Sequence, residues 1–94
     1  MTGMAFYCYM LECSDGTYYT GWTTDPQRRL RQHNQGVAAH YTRSRLPVRL
    51  VYVEECPDKV AALKRERAIK ALSHLQKKEM ISQTSEVFKT SEVY

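Results

Sequence analysis

Five polar side chains of this 94-residue chain carry groups that could bind a phosphate or move a proton. They are Tyr9, Tyr19, Arg29, His33 and Glu66. A guanidinium binds phosphate oxygens through a fork of N–H donors, whereas a phenol, an imidazole or a carboxylate can accept and release a proton. Each group also has an ordinary structural alternative. The tyrosines could be half-buried sheet residues, the Arg29–His33 pair an exposed polar face, and Glu66 a salt-bridge partner of Lys70 four residues on.

Positive charge is concentrated in two segments of the chain. The net charge is +4, but residues 25–50 carry six arginines against one acid, and residues 59–78 carry seven bases against Glu66 alone. Such segments are typical of a surface that binds the phosphate backbone of a nucleic acid. Two solvated helix faces are the alternative.

Length and cysteine content exclude several classes of protein. A chain of this length builds one domain with a modest core, which excludes a large multi-substrate enzyme. The longest apolar run, Met4–Leu11, has eight residues, whereas a membrane span needs about 20, and no signal peptide is indicated. Three cysteines without paired metal-ligand spacing argue against a disulfide framework or a zinc site. We therefore expect a cytoplasmic protein with reduced thiols and no membrane association.

The predicted elements follow the order ββαβαα, which indicates an α+β fold with a small antiparallel sheet and packed helices. The predicted strands are Ala5–Cys13, Thr17–Trp22 and Val48–Glu54, and the predicted helices are Thr24–Gln35, Pro57–Leu72 and Ser73–Ser82. Thr24 is expected to cap the first helix with Gln27 in a capping box, and Gly36 to end it. Residues 37–47 are predicted to form a polar, basic loop. Residues 1–82 should form the single domain, and 83–94 a disordered tail.

The turn between the first two strands decides which side chains share a face of the sheet. A three-residue loop over Ser14–Gly16 pairs Tyr9 with Gly21, so that Tyr9 and Tyr19 lie on one face. A two-residue loop would place the two tyrosines on opposite faces. Turn chemistry favours the three-residue loop, because the third position suits a glycine in the left-handed conformation. Gly21 would then leave space beside the Tyr9 phenol.

Arranged in this way, the motifs resemble those of the GIY-YIG nuclease domain. The first motif is Tyr7-Cys8-Tyr9 and the second is Tyr19-Thr20-Gly21, with Thr20 where isoleucine is usual. Arg29 and His33 then follow in a helix, and Glu66 in a later helix. The resemblance spans about residues 5–80 and is closest to small stand-alone bacterial members of the family, through segments 11–21, 41–48 and 62–66.

The resemblance implies a three-stranded antiparallel sheet, GIY-YIG-like, with the first strand in the middle. It also implies a metal-dependent endonuclease that hydrolyses nucleic-acid phosphodiesters, DNA sooner than RNA and with little sequence specificity, in DNA repair or processing. Carried over by position, Glu66 would bind one Mg²⁺ or Mn²⁺ and Arg29 would grip the scissile phosphate. Tyr9 would act as the base, Tyr19 would contact phosphate or water, and His33 would shuttle a proton or bind phosphate.

A basic surface beside these residues is expected to bind the nucleic-acid backbone. Its candidate residues are Arg28, Arg31, Tyr41, Arg43, Arg45 and Lys64. The alternation of aromatic and cationic residues over 41–45 suits a backbone and a splayed base. Two alternatives stay open: a non-catalytic nucleic-acid-binding module that uses the same surface, and an interaction domain whose polar set is structural. No obligate protein partner is indicated.

Overall fold

Three antiparallel strands form the sheet at the centre of the molecule. The computed structural model describes residues 5–92, with side chains described as far as residue 83. The strands are β1 (Phe6–Glu12), β2 (Tyr18–Thr23) and β3 (Arg49–Cys56), and the helices are α1 (Pro26–Asn34), α2 (His40–Arg43), α3 (Lys59–Lys70) and α4 (His74–Glu92). The strand order is β2-β1-β3. The predicted α+β fold with the first strand in the middle is therefore confirmed.

The hairpin between β1 and β2 has the three-residue loop. Gly16 has φ +84°, and the amide of Cys13 donates to the carbonyl of Thr17 at 2.8 Å. In the resulting register Tyr9 faces Gly21, and Tyr19 lies two residues along on the same face of the sheet. The register that turn chemistry favoured is the one observed, since only a glycine occupies this left-handed position without strain.

The sheet is buried on both faces, each by a different set of helices. One face packs against α1 through a buried cluster that contains Tyr9, Leu11 and Val48, with Leu30 of α1 against it. The other face packs against α3 through Cys8, Met10, Tyr52, Cys56, Ala62 and Ile69, and Met80 and Ile81 of α4 close it. Among the described residues, no helix combines the length and the apolar character that crossing a membrane requires.

Local capping sets where the helices begin, with one correction to the expectation. Asp25, not Thr24, caps α1: its side chain accepts from the amide of Arg28 at 3.1 Å. Pro26 at the first helical position moves the cap one residue later, because a proline there needs no backbone partner. The expected cap at Ser73 is present as a capping box, in which Ser73 and Gln76 each bond the other's amide at 3.1 and 2.9 Å.

Two segments are more helical than the sequence indicates. Residues 40–43 form the short helix α2 inside the predicted loop, because Thr42 is fully buried and the turn packs against α1. Helix α4 continues to Glu92, past the predicted end at Ser82 and through much of the predicted disordered tail, since no glycine or proline interrupts it. Residues 93 and 94 lie outside the described residues, and the domain boundary at residue 82 stays a prediction.

Thr20 provides a test of the packing between the sheet and α3. Its side chain is 2 % exposed, and its hydroxyl has no hydrogen-bond partner among the described residues. Because an unsatisfied buried hydroxyl is unfavourable, Thr20→Val should raise the free energy of unfolding by about 1 kcal/mol. This corresponds to a melting temperature about 4–8 °C higher in a domain of this size. Thr42→Val is the matched control, because that hydroxyl is bonded and its loss should lower the melting temperature. Equal losses in both variants would contradict the assignment.

Candidate active site

The Tyr9 phenol lies at the centre of the site and is almost completely buried. Its ring is 1 % exposed, and its oxygen lies 2.9 Å from Nε2 of His33. The phenol fills the space above Gly21, where an added Cβ would stand only 2.8 Å from the hydroxyl oxygen. The expected space beside Gly21 therefore exists and is occupied by the phenol itself.

His33 is the fully buried partner of this phenol on α1. Its Nδ1 lies 2.8 Å from Oγ1 of Thr42 on α2, so both ring nitrogens have protein partners. Burial, followed by the nearby charge of Arg29, lowers the pKa of His33 to about 4. The imidazole is consequently neutral at pH 7, as a proton acceptor must be.

Burial lowers the pKa of His33 but raises the pKa of the Tyr9 phenol. It raises the pKa of Tyr9 to about 12, because the charged phenolate loses its hydration. Interaction with Arg29 beside the phenol partly offsets this rise, whereas interactions with Tyr19 and Glu66 add to it. At neutral pH the phenol of this ligand-free protein is therefore protonated.

Tyr19 joins Tyr9 and His33 in an aromatic cluster, as the register predicts. The ring centroid of Tyr19 is 6.5 Å from that of Tyr9, 5.1 Å from that of His33 and 6.2 Å from that of Tyr41. Tyr19 is half-buried, so the cluster runs from the buried phenol of Tyr9 towards the exposed ring of Tyr41.

Arg29 connects the buried phenol with the surface. Its Nη1 donates to Oε1 of Gln32 at 3.0 Å, which fixes the guanidinium on α1. The same arginine lines an open pocket of about 380 Å³. The other lining residues are Trp22, Thr23, Thr24, Asp25, Arg28 and Gln32. A ligand phosphate in this pocket could therefore reach a guanidinium that acts on the Tyr9 phenol.

Glu66 lies at the edge of the buried side of α3, as its position on the helical wheel indicates. Its side chain is 17 % exposed, and its Oε2 lies 3.1 Å from Nζ of Lys70. The salt bridge weighed as the alternative is thus present. The charge of Glu66 adds to the raised pKa of Tyr9, although α3 packs on the face of the sheet opposite Tyr9.

The residues of the expected backbone-binding surface divide into two groups. Arg28, Arg31, Arg43 and Lys64 are exposed. Arg45 and Tyr41 are engaged within the protein instead. Arg45 donates from Nε to Asp15 at 3.0 Å and from Nη1 to the Tyr41 carbonyl at 2.8 Å, and its guanidinium lies 3.9 Å over the Tyr41 ring.

This arrangement gives Tyr41 and Arg45 a structural role. The Tyr41 hydroxyl donates to Oγ1 of Thr17 at 2.8 Å, so the pair fastens α2 to the hairpin. One face of the Tyr41 ring is already covered by Arg45 and cannot stack on a base. The alternation of residue types over 41–45 therefore reflects packing of α2 more than backbone binding.

Two residues that were not among the predicted site residues, Gln32 and Thr42, contact Arg29 and His33. Gln32 is three residues from Arg29 on one helix, and this i,i+3 spacing could have identified it. Thr42 lies in a segment without a helical pattern, and only its burial against His33 shows that it belongs to the site. Within the part of the chain described, no three His, Cys, Asp or Glu side chains are grouped so that they could hold a metal ion.

Most of the chain is similar to known proteins. Residues 5–79 match the GIY-YIG catalytic domain. A UPF0213 protein of Halobacterium salinarum is 56 % identical over 69 residues, which cover 73 % of this chain and 90 % of that protein. One from Streptococcus pneumoniae is 46 % identical over 80 residues, 85 % of this chain and 81 % of the relative. The relatives include archaea as well as bacteria.

Two solution NMR structures show the same fold. A UPF0213 protein of Bacillus halodurans has a TM-score of 0.55 at 45 % identity, and the match covers 85 % of each chain. A protein of E. faecalis has a TM-score of 0.59 at 37 % identity, covering 89 % of this chain and 90 % of that one.

Proposed function

Since this chain belongs to the GIY-YIG domain family, we propose that it is a metal-dependent endonuclease that hydrolyses phosphodiester bonds, in DNA sooner than RNA. The observation that carries the proposal is the 2.9 Å contact between the Tyr9 hydroxyl and Nε2 of a neutral His33, with Arg29 beside them. A binding module needs no buried phenol paired with a proton acceptor. Three free, buried cysteines are consistent with action in the cytoplasm, where thiols stay reduced.

In the proposed reaction, each side chain of the site has a separate role. Arg29 binds the scissile phosphate through its donors and stabilises the charge that develops on the phosphorus oxygens. The Tyr9 phenol passes its proton to Nε2 of His33 and then takes a proton from the attacking water. Tyr19, half-buried beside both rings, contacts the water or the phosphate. Because burial holds the pKa of Tyr9 near 12, the phenol is ionised only when substrate and counter-charge are in place.

Glu66 is the residue that would hold the metal ion. Magnesium commonly takes one or two carboxylates and completes its shell with water and substrate phosphate. A single, partly exposed carboxylate fits this pattern and does not fit a cage made of protein ligands alone. A bound Mg²⁺ or Mn²⁺ would supply positive charge against the phosphate. To bind it, Glu66 must share or release Lys70.

Substrate class is tested by comparing DNA and RNA strands of several matched sequences as single strands, duplexes and branched structures, with and without Mg²⁺. We expect Mg²⁺-dependent cleavage, faster on DNA and independent of the sequence used. Cleavage confined to RNA would contradict the substrate assignment. Binding of every substrate without cleavage would favour the non-catalytic module.

The two arginines of α2 and its flank should differ when replaced. Arg43 is exposed, and its Nη2 contacts only the side chain of His40, at 3.0 Å, among the contacts described. Arg43→Ala should therefore weaken binding about equally for unrelated sequences and lower the salt slope by about one unit. Arg45→Ala should mainly lower stability, by about 1 kcal/mol, because it removes the bonds to Asp15 and to the Tyr41 carbonyl. Affinity across a salt series and thermal denaturation separate these effects, and a unit loss of slope in Arg45→Ala would contradict them.

A further inference from the structure

Thr42 is a buried hydroxyl on α2 that directly contacts the proton acceptor of the site. It is 0 % exposed, and its Oγ1 lies 2.8 Å from Nδ1 of His33 and 3.3 Å from the carbonyl of Ala39. Thr42 follows His33 by nine residues and lies outside α1. The short helix α2 brings the Thr42 hydroxyl to the His33 imidazole.

The contacts from Tyr9 through His33 and Thr42 to the Ala39 carbonyl determine which atom carries each hydrogen. Arg29 beside the phenol is a donor only, so it cannot accept the hydrogen of the Tyr9 hydroxyl. The one acceptor within hydrogen-bonding distance of that hydroxyl among the described contacts is Nε2 of His33, at 2.9 Å. Tyr9 therefore donates, and Nε2 of His33 carries no hydrogen.

The rest of the chain of bonds follows from the neutral state of the imidazole. A neutral ring with a bare Nε2 has its hydrogen on Nδ1. Nδ1 of His33 then donates to Oγ1 of Thr42, and the Thr42 hydroxyl donates its own hydrogen to the carbonyl of Ala39. Every donor in the row from Tyr9 to Ala39 has one acceptor.

We propose that Thr42 is a positioning residue, which holds His33 in the Nδ1–H tautomer so that Nε2 faces the Tyr9 phenol as a proton acceptor. The catalytic consequence rests on the proposed endonuclease function, whereas the tautomer itself does not. When the phenol O–H bond breaks, the proton joins Nε2 and the ring becomes a cation with both nitrogens protonated. Thr42 continues to accept from Nδ1–H, so this cation keeps a hydrogen-bond partner.

Helix α2 then serves to orient the His33 imidazole, a role that the sequence does not indicate. Tyr41 and Arg45 fasten α2 to the hairpin through Thr17 and Asp15. This attachment holds Thr42 against His33 from the side opposite the phenol. The segment expected to contact nucleic acid thus contributes to orienting the imidazole.

Nitrogen NMR of the His33 ring tests the proposal without any need for cleavage. The ring signals are assigned by their absence in His33→Gln, and spectra are recorded at neutral pH for wild type, Thr42→Val and Thr42→Ser. Wild type and Thr42→Ser should show the Nδ1–H tautomer. Thr42→Val, which keeps the shape and removes the acceptor, should shift the ring towards the Nε2–H form.

Cleavage measured on the same proteins supplies the functional part. We expect Thr42→Val to cleave about 10- to 100-fold more slowly, since a positioned proton acceptor contributes about 100- to 10,000-fold, and Thr42→Ser to recover most of the rate. A wild-type ring in the Nε2–H form would overturn the proposal, whether or not Thr42→Val folds. So would a Thr42→Val protein with an unchanged tautomer and full activity. An inactive wild type with the Nδ1–H tautomer would count against the endonuclease and support the positioning.

Discussion

Tyr9→Phe is expected to reduce the rate of cleavage by about 100- to 10,000-fold, because it removes the hydroxyl proposed to pass a proton from the attacking water to the neutral imidazole of His33. Phenylalanine keeps the ring in the space above Gly21 and among Leu11 and Val48. The loss should therefore appear in the single-turnover rate and leave affinity for the nucleic acid nearly unchanged. The stability cost should be about 1 kcal/mol, for one hydrogen bond.

Tyr52→Phe provides the matched control for this variant. Tyr52 is a buried tyrosine in the core on the other face of the sheet, and its hydroxyl donates to Oε1 of Glu54 at 2.5 Å. The same hydroxyl group is removed at a comparable cost in stability, but on the face of the sheet opposite Tyr9 and its partner His33. We expect full activity from Tyr52→Phe. Equal loss of activity in both variants would mean that the effect of Tyr9→Phe arises from the fold and not from the chemistry.

Glu66→Gln is the second change with a large expected effect, since it removes the carboxylate charge that a magnesium ion requires. We expect cleavage to be lost at all Mg²⁺ concentrations that support the wild type. Stability should fall only slightly, because an i,i+4 ion pair on a helix contributes about 0.3–0.5 kcal/mol. Cleavage rates over a Mg²⁺ titration and thermal denaturation of the same samples measure both effects.

Lys70→Gln separates the two roles open to this carboxylate. It breaks the same ion pair, whose atoms are 3.1 Å apart, but it leaves Glu66 available to a metal. A ligand role predicts that Lys70→Gln loses as little stability as Glu66→Gln and keeps its activity. If Glu66→Gln kept its activity and lost far more stability than expected for an ion pair, Glu66 would be a structural residue.

The parts of the site that the sequence predicts correctly depend on local rules. Gly16 determines the turn, the turn determines the register, and the register brings Tyr9 and Tyr19 onto one face. The i,i+4 spacing of Arg29 and His33 then directs both side chains towards that face. None of these steps needs information from distant parts of the chain.

The parts that the sequence does not predict depend on tertiary contacts. Helix α2 is too short to be indicated by periodicity, and it forms around the burial of Thr42 against His33. The contact of Arg45 with Asp15 joins residues 30 positions apart, so an apparently free cation is in fact engaged. Two adjacent residues suited to capping, Thr24 and Asp25, likewise could not be distinguished by type alone.

Phosphodiester hydrolysis by this protein is tested most directly by a single-turnover experiment with excess protein. Protein and end-labelled branched or duplex DNA are first combined in the presence of a chelator, so that binding is complete before an excess of Mg²⁺ starts the reaction. We expect the wild type to convert the bound DNA to shorter strands, whereas Tyr9→Phe should bind equally well and leave it intact. A wild-type complex that forms fully and yields no product in Mg²⁺ or Mn²⁺ would contradict the proposed nuclease activity.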